Sequence, residues 1–409
     1  MTTRSRRKAL AAALALPLAV ALVACSQSTE APSDEPLTPD IEATLTIWHY
    51  NETAGLQDID PQIAQFQELY PNVEFEVTFI PEEQFPNRII SAATSQSGPD
   101  IMWYNGAFTK TFADAGVIGD ITEEWASFED ADLFPESVLQ TSGDRIYGVQ
   151  AYVNLNALYY NQTILDELGV AVPTTLDELE DAMRAATAAG YRGMMLPGAP
   201  GVAGEWVSKA FFTGYGVQNF SDYGDPAVEE MFTRVAGWVD EGLVPRATVT
   251  LPQAEAVNEF VAGDVAFYVG GNWQLTLPAE GGFDWGVAPM PAGPEGPAVV
   301  YLGGQAEALG AFPTNKALAW EFLKQTWLTK EHGTMRLGLG SIPTRADVLE
   351  GDVDPNVQAY ADAAANGTPL SSDTASTLAV GDLWSGVLAG QTSPADGAAQ
   401  AAQIAAGAE

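Results

Sequence analysis

The chain has 409 residues, and its 54 acidic residues outnumber its 17 basic ones, which gives a formal net charge of -37. That length suggests two or three domains, and so large an acidic excess excludes nucleic acid and argues against docking on an anionic membrane surface, because both need a basic footprint. With one Cys and two His, the sequence also excludes internal disulfides, a Cys-rich zinc site and a multi-histidine metal centre, so we expect no metal and no cofactor.

The first 25 residues have the layout of a bacterial secretory signal. Basic residues within positions 4–8 precede an apolar run over 9–24, which is too short for a comfortable membrane span. The run ends at Leu22-Val23-Ala24-Cys25, which resembles the lipobox of bacterial lipoproteins, where the Cys is lipidated and becomes the mature N-terminus. We therefore predict a signal peptide over 1–24 and lipidation at Cys25. The alternative is plain signal-peptide cleavage with an incidental thiol.

A short polar segment separates this signal from the rest of the chain. Residues 25–40 are rich in Ser, Pro, Glu and Asp and carry few large apolar side chains, so they cannot bury enough surface to offset the entropy of ordering. We predict a disordered tether over this segment. The protein is therefore expected outside the cytoplasm, attached to the cell membrane only through its lipid.

After the tether, predicted strands and helices alternate. Apolar residues alternate with polar ones over Val73–Phe79, which predicts a strand, and shorter stretches at 44–49 and 101–103 predict two more. Helical spacing predicts a helix between each pair of strands, the first beginning at Asp60-Pro61 with Asp60 as its N-cap. This βαβ series predicts an α/β fold in which mostly parallel sheets are flanked by helices.

The second part of the chain has the same character. Thr175 and Glu178 form a capping box at the start of a helix that ends near Gly190. Further expected features are, in chain order, a helix from Asp225-Pro226, a buried strand over 265–269, a Pro- and Gly-rich crossing between domains over 289–297, one helix over 316–329 and an Ala-rich tail from 398 that frays after its last helix. This repetition predicts a second α/β unit.

No motif of catalysis or nucleotide binding stands out. Gly270-Gly271-Asn272-Trp273 follows a strand but lacks the spacing and the Lys of a phosphate loop, and no Gly-x-Ser-x-Gly elbow is present. A glycosidase needs only two carboxylates at a set separation, which counting acidic residues does not exclude. A secreted glycoside hydrolase therefore remains the best enzyme alternative.

The Trp residues of interest fall into two groups. Three lie at helical spacing among other apolar residues and are expected in the core, namely Trp238, Trp320 and Trp327. Others follow predicted strand ends or lie in Gly-flanked turns, where open α/β sheets place their ligand crevice, namely Trp48, Trp103, Trp206 and Trp273. A flat ring beside Asn and Gln groups suits a sugar, which has C–H faces and a hydroxyl edge. Core packing is the alternative for each of these rings.

Short motifs in a particular order and spacing cover nearly all of the chain after the tether. They lie at 45–49, 66–73, 97–101, 147–149, 158–161, 172–179, 271–273, 286–291, 303–304 and 342–345. Among them are Phe66-Gln67-Glu68-Leu69-Tyr70-Pro71-Asn72-Val73 and Val172-Pro173-Thr174-Thr175-Leu176-Asp177-Glu178-Leu179. Behind a lipobox, this set resembles extracellular solute-binding proteins of the maltose-binding-protein type, which serve ABC importers of sugars.

This resemblance implies a binding protein without enzymatic activity and with the two-lobed periplasmic-binding-protein-like fold. The chain would cross the hinge between the lobes near Tyr152, Val299 and Pro343. The lobes would comprise 41–152 with 302–342 and 155–298 with 346–404. A carbohydrate in the cleft would draw the lobes together by hinge closure, and the closed form would dock on the permease subunits of the importer. We expect a monomer.

The resemblance also implies ligand-binding residues from both lobes and from the crossings. The full expected set is His49, Tyr50, Trp103, Asn105, Tyr152, Asn154, Trp206, Trp273, Gly304, Gln305 and Arg345. Arg345 has the alternative role of a hinge salt-bridge partner. Ala203 is small where some maltodextrin binders place an aromatic residue, which counts against a long maltodextrin but not against a sugar. A polyol, a phosphodiester or a polyamine remains an alternative ligand for the same fold.

Overall fold

A computed structural model of the chain describes residues 37–50, 58–81, 84–351, 353–371 and 373–407. The predicted signal peptide, the lipidation site at Cys25 and the tether up to residue 36 lie outside the described residues. Within the described ranges, no helix is long and apolar enough to span a bilayer. No group of His, Cys, Asp and Glu side chains in the same ranges is arranged to hold a metal ion.

Strands and helices alternate along the described chain, as the sequence predicts. The strands are β1 (Ala43–His49), β2 (Val73–Phe79), β3 (Ile101–Asn105), β4 (Leu139–Ser142), β5 (Arg145–Val149), β6 (Tyr152–Val153), β7 (Asn156–Asn161), β8 (Arg192–Met195), β9 (Val265–Gly271), β10 (Trp285–Ala288), β11 (Tyr301–Leu302), β12 (Gln305–Leu309), β13 (Ile342–Pro343) and β14 (Thr368–Pro369). The α-helices are α1 (Asp60–Leu69), α2 (Phe85–Thr94), α3 (Thr109–Asp114), α4 (Thr122–Ala126), α5 (Gln162–Leu168), α6 (Leu176–Ala188), α7 (Val202–Gly214), α8 (Ala227–Asp240), α9 (Gln253–Val261), α10 (Lys316–Gln325), α11 (Lys330–Gly338), α12 (Pro355–Ala364), α13 (Thr374–Leu388) and α14 (Pro394–Gly407).

Two sheets form the centres of two lobes. The first has the strand order β2-β1-β3-β12-β5-β4, and the second has the order β10-β7-β9-β8. β1 runs parallel to β2 and β3, and β8 runs parallel to β9, whereas the other pairings in these two sheets are antiparallel. The α/β fold is thus as predicted, but the sheets are mixed rather than mostly parallel. The main reason is that β12 and β7, which each begin after a passage between the sheets, run against their neighbours.

Helices pack on both sheets, which explains why central strands such as β3 and β9 are apolar. All of β9 is buried, as expected for a strand covered on both faces. The predicted capping box is present: Thr175 Oγ1 accepts from Glu178 N at 3.2 Å, and α6 packs on β8 with Leu179 and Met183 buried. The tryptophans at helical spacing are buried as predicted, namely Trp238, Trp320 and Trp327.

The chain passes between the sheets three times. It leaves the first sheet after β5 and enters the second at β7, it returns through β11 to β12, and it passes again through β13 to α12, which packs on β10. β6 pairs with β13, and Asn154 pairs with Gly303, so the three crossings lie side by side. We propose that the lobes meet at these crossings, with the limits 41–152 with 302–342 and 155–298 with 346–404.

One expectation for the C-terminal part is wrong. Instead of one helix over 316–329 there are two, α10 and α11, because the backbone turns at Thr326 and the Thr329 hydroxyl accepts from His332 N at 3.1 Å, which caps the second helix. From 398 to Gly407 the tail is helical, since α14 packs against α8 and α13 with Ala401 buried, and the residues after this last helix lie outside the described residues. The small residues of α14 allow this close approach without producing a strong apolar period.

The Pro- and Gly-rich stretch 289–297 is not itself a crossing. Ala292 donates its N–H to Thr174 O and accepts from Leu176 N, both at 2.9 Å, so the stretch is bound to the start of α6 in the second lobe. The prediction of Asp60 as an N-cap is also wrong by one position. The helix begins at Asp60 itself, and no side chain caps it.

Candidate functional site

The end of β3 and the start of β12 bring polar side chains together beside the crossings. Asn105 and Gln305 are directly opposite each other in the ladder between these strands. Gln305 Nε2 donates to Tyr50 Oη at 2.8 Å, and Tyr50 directly follows β1. All three side chains are half-buried. We call Tyr50, Asn105 and Gln305 the polar edge, because they place amide and phenol groups at this border of the first lobe.

Tyr152 supports the polar edge from within the protein. Its hydroxyl donates to Gln305 Oε1, and its ring lies against the Arg336 guanidinium, with 3.6 Å between the guanidinium carbon and the ring centroid. Burial raises the pKa of Tyr152 well above its ordinary value of 10.0, so the hydroxyl remains protonated and remains a donor. Because its ring is fully buried, Tyr152 orients Gln305 rather than offering a face to a ligand.

Two indole rings of the second lobe lie where that lobe meets the crossings. Trp273 follows β9 and is 44% exposed. Trp206 is half-buried in α7, with its ring 6.0 Å from that of Tyr301. Each ring lies against a glycine, since a Cβ at Gly271 would overlap the Trp273 ring and a Cβ at Gly303 would overlap the Trp206 ring. Both rings therefore pack against backbone at a position where any side chain would displace them.

Asn272, which the predicted site omitted, connects the crossings. Its buried Oδ1 accepts from Leu155 N at 2.8 Å, and its Nδ2 donates to Asn154 Oδ1 at 3.0 Å and to Gly340 O at 2.6 Å. Asn154 in turn exchanges two backbone hydrogen bonds with Gly303. The predicted residue Asn154 therefore joins two crossings through its backbone and side chain. The sequence signal for Asn272 was a polar residue directly after an apolar strand that ends in two glycines.

Gly304 contributes backbone geometry rather than a side-chain contact. Its φ of +115° lies in a region that side chains disfavour, and a Cβ there would lie 3.0 Å from Tyr152 O. A glycine therefore allows the chain to turn from the second crossing into β12. This turn places Gln305 beside Tyr50.

Two predicted residues of the first lobe lie in its interior. Trp103 is 1% exposed, its Nε1 donates to Glu307 Oε1 at 3.0 Å, and its ring stacks on Trp327 with the centroids 6.4 Å apart. His49 is buried as well, with its ring 5.6 Å from that of Phe79. β1 and β3 each have a neighbouring strand on both sides. A residue near the end of either strand can therefore be covered by protein rather than open to a ligand. We leave both residues out of the proposed site.

Arg345 is a salt-bridge partner, which is the alternative role stated in the sequence analysis. Its Nη1 lies 2.8 Å from Asp130 Oδ2, its Nε lies 2.9 Å from Asp347 Oδ1, and Nη1 also donates to Leu328 O at 2.8 Å. Two carboxylates thus match its charge, and most of the side chain is buried. The guanidinium joins the segment after the third crossing to the first lobe.

Two buried carboxyl groups have raised pKa values, but neither is placed for catalysis. Burial raises the pKa of Glu307 to about 8, and its oxygens accept from Trp103 Nε1 and from Ala151 N, each at 3.0 Å. Burial also raises the pKa of Glu205 to about 7, and its Oε1 accepts from Tyr301 Oη at 2.6 Å. Protein encloses both groups, so neither reaches a glycosidic oxygen as hydrolysis requires.

Comparison with known proteins identifies the family. Residues 62–365, well over half of the chain, match the family model of a bacterial extracellular solute-binding protein. The chain belongs to this family. Its membership places this solute-binding protein outside the cytoplasm.

Individual relatives resemble this solute-binding protein in sequence and in structure. It is 25% identical over 332 residues to the maltotriose-binding protein of Pyrococcus abyssi, in an alignment that covers 77% of this chain and 68% of that protein. It superposes on the cyclic alpha-maltosyl-1,6-maltose binding protein from Arthrobacter globiformis with a TM-score of 0.73 and 20% identity, covering 89% of this chain and 98% of the other. The sugar-binding protein MalE from Xanthomonas citri gives a TM-score of 0.75 at 18% identity, with the same coverage of 89% and 98%. These structural likenesses confirm the two-lobed fold.

Proposed function

We propose that the protein is the substrate-binding lipoprotein of an ABC importer and that it captures a neutral sugar or short oligosaccharide between its lobes. The observation that carries the proposal is the placement of two indole rings at the crossings, with Trp206 against Gly303, two residues before Gln305 of the polar edge, and Trp273 beside the segment at Gly340. Indole faces pack against the C–H faces of a sugar ring. Amide and phenol groups bond its hydroxyls and fix its orientation.

The groups around these rings favour a neutral ligand. The polar edge and Asn154 carry no formal charge, and the charge of Arg345 is matched by Asp130 and Asp347. Among the residues that the structure describes there, a phosphodiester or a polyamine would lose hydration without gaining an opposite charge. A polyol shares the hydroxyl chemistry and is the nearest non-sugar alternative. Because the relatives named above bind maltotriose and cyclic alpha-maltosyl-1,6-maltose, we propose a malto-oligosaccharide of a few units as the first candidate.

Capture and release require no chemical step. A ligand that contacts both lobes favours the closed arrangement through its differential affinity for that arrangement. The three crossings serve as the hinge, and the closed form docks on the permease subunits of the importer. In this proposal the lipid on Cys25 holds a monomeric protein at the membrane, and the sugar leaves unchanged.

Thermal unfolding of the mature protein with a panel of solutes tests the proposal. The panel contains maltose, maltotriose, a chitin oligosaccharide, a polyol, a polyamine and a glycerophosphodiester. A ligand at one hundred times its dissociation constant adds about 2.7 kcal/mol of stability. We expect a neutral oligosaccharide to raise the melting temperature and to be recovered intact by chromatography. A rise caused only by a charged solute, no rise at all, or release of shorter sugars would contradict the proposal.

A further inference from the structure

A stripe of polar residues lies on one face of α7. Glu205, Lys209 and Thr213 are spaced by four residues, which places them one above another on the helix. All three are buried. Buried polar groups cost free energy unless they are paired, so this face of the helix needs polar partners. We call these three residues the α7 stripe.

The α7 stripe holds the second crossing at two residues, Val299 and Tyr301, that are separated by one position. Thr213 Oγ1 accepts from Val299 N at 2.8 Å and donates to Val299 O at 3.0 Å. Glu205 Oε1 accepts from Tyr301 Oη at 2.6 Å, and Lys209 Nζ lies 4.9 Å from the centre of the Tyr301 ring. A buried, charge-assisted contact therefore fastens the crossing to the second lobe at Tyr301.

Trp206 connects this fastening to the proposed ligand-binding site. It directly follows Glu205 in α7, and its ring contacts the crossing at two points, Tyr301 and Gly303. A shift of the crossing would move the surface on which the indole rests. The position of the Trp206 ring thus depends on the position of the second crossing, which the α7 stripe holds.

We propose that Glu205 and Tyr301 are positioning residues for sugar binding, because their buried hydrogen bond, supported by Lys209, fixes Trp206 in the orientation that contacts the ligand. The inference rests on the proposed function and deepens it, since it names residues that never touch the sugar. It also makes the affinity for sugar depend on pH.

The pH dependence follows from the surroundings of Glu205. Burial raises its pKa to about 7, opposed by the hydrogen bond from Tyr301 and by the charge of Lys209. Among the residues that the structure describes, the other charged or titratable groups around this cluster are Tyr223 and Asp222 after α7, Asp373 directly before α13, which lines the same cavity as Lys209 and Tyr301, and Asp382 on α13, which accepts from Gly201 N at the start of α7. An ionised carboxylate accepts a stronger hydrogen bond than a carboxylic acid, so the affinity for sugar falls as the pH falls from 8 to 6.

Stability changes in the opposite direction. Because the native pKa of Glu205 lies above its ordinary value of 4.5, the stability that this group contributes is present below that value and is lost as the pH rises through about 7. A purely structural role for Glu205 would change the stability and leave the affinity unchanged. The two readouts therefore distinguish the two roles.

Three variants of the mature protein test the inference, namely Tyr301→Phe, Glu205→Gln and the control Tyr223→Phe. Tyr223 lies in the same cluster, and its buried hydroxyl has no hydrogen-bond partner among the residues that the structure describes. With maltotriose as the probe, calorimetry at pH 6 and pH 8 should show wild-type binding about fivefold weaker at pH 6. The first two variants should bind about fivefold more weakly than wild type at pH 8 and equally at both pH values, and the control should follow wild type. Wild-type affinity and pH dependence in the first two variants, whatever their melting temperatures, would overturn the inference.

Hydrogen exchange without sugar separates failure of this inference from failure of the proposed function. The amides of 299–303 should exchange about tenfold faster in Tyr301→Phe than in wild type and at the wild-type rate in Tyr223→Phe. If wild type binds no maltotriose, the proposed ligand is wrong, and the exchange rates then show only whether the Tyr301 hydrogen bond holds the crossing. Unchanged protection in Tyr301→Phe would show that it does not, and would overturn the positioning role whatever the ligand.

Discussion

Replacing Asn272 by Ala should destabilise the protein far more than the loss of one surface hydrogen bond. The buried side chain bonds Leu155 N, Asn154 Oδ1 and Gly340 O. The Leu155 N–H is buried and would lose its acceptor at a cost of about 1–3 kcal/mol. Asn154 and Gly340 are half-buried and can regain water, so each loss costs about 0.5–1.5 kcal/mol. We therefore expect the free energy of unfolding to fall by about 2–6 kcal/mol.

Urea titration followed by intrinsic fluorescence measures this change, and Asn315→Ala is the matched control. Asn315 caps α10 by accepting a single hydrogen bond from Leu318 N at 2.9 Å, and its replacement should cost about 1 kcal/mol. Because Asn272 ties the crossings together, its variant should also bind maltotriose more weakly, whereas the control should not. If Asn272→Ala loses no more stability than Asn315→Ala, our account of how the crossings are joined is refuted.

Three other substitutions test the site and its surroundings. Trp273→Ala should abolish the rise in melting temperature caused by sugar while costing about 1–2 kcal/mol of stability, and the control Leu69→Ala, at a similarly exposed residue, should keep that rise. An undiminished rise in Trp273→Ala would remove this ring from the site. Because burial raises the pKa of Glu307 to about 8, this group should account for about 3 kcal/mol of the stability in urea that wild type loses from pH 5 to pH 8, in addition to the loss from Glu205. Glu307→Gln should reduce the loss by about that amount, and an equal loss in wild type and variant would contradict the raised pKa of Glu307. Arg345→Ala should cost about 1–3 kcal/mol of stability in urea yet leave maltotriose affinity within about twofold by calorimetry, and a loss of binding would return Arg345 to the site.

Elements with a strong local pattern were predicted well from the sequence. The strand Val73–Phe79 and the helix that begins after Thr175 have the bounds that side-chain period and capping indicate, because both signals depend on neighbouring residues. The break between α10 and α11 was missed because a distant residue takes part in it. Trp327, in that break, donates from Nε1 to Asp58 Oδ1 at 2.9 Å, across 269 positions of sequence.

Trp103 and Trp273, both predicted as ligand-binding residues, also show what neighbouring sequence cannot predict. Each is an aromatic residue near the end of an apolar strand, and the neighbouring sequence does not separate a core ring from an exposed one. β3 lies between β1 and β12, and Trp327 covers the Trp103 ring. Trp273 instead follows its strand into a turn and remains open to solvent.

The sequence by itself determined the alternation of strands and helices, the acidic charge of the chain, the tryptophans of the helical core and the motifs shared with solute-binding proteins. Only the tertiary structure decided which rings are open, that Asn272 joins the crossings, that the α7 stripe faces Tyr301 and that Arg345 pairs with Asp130. The physical reason is that local period and capping depend on residues within one or two turns. Burial and the pairing of buried polar groups depend instead on residues that only the folded chain brings together.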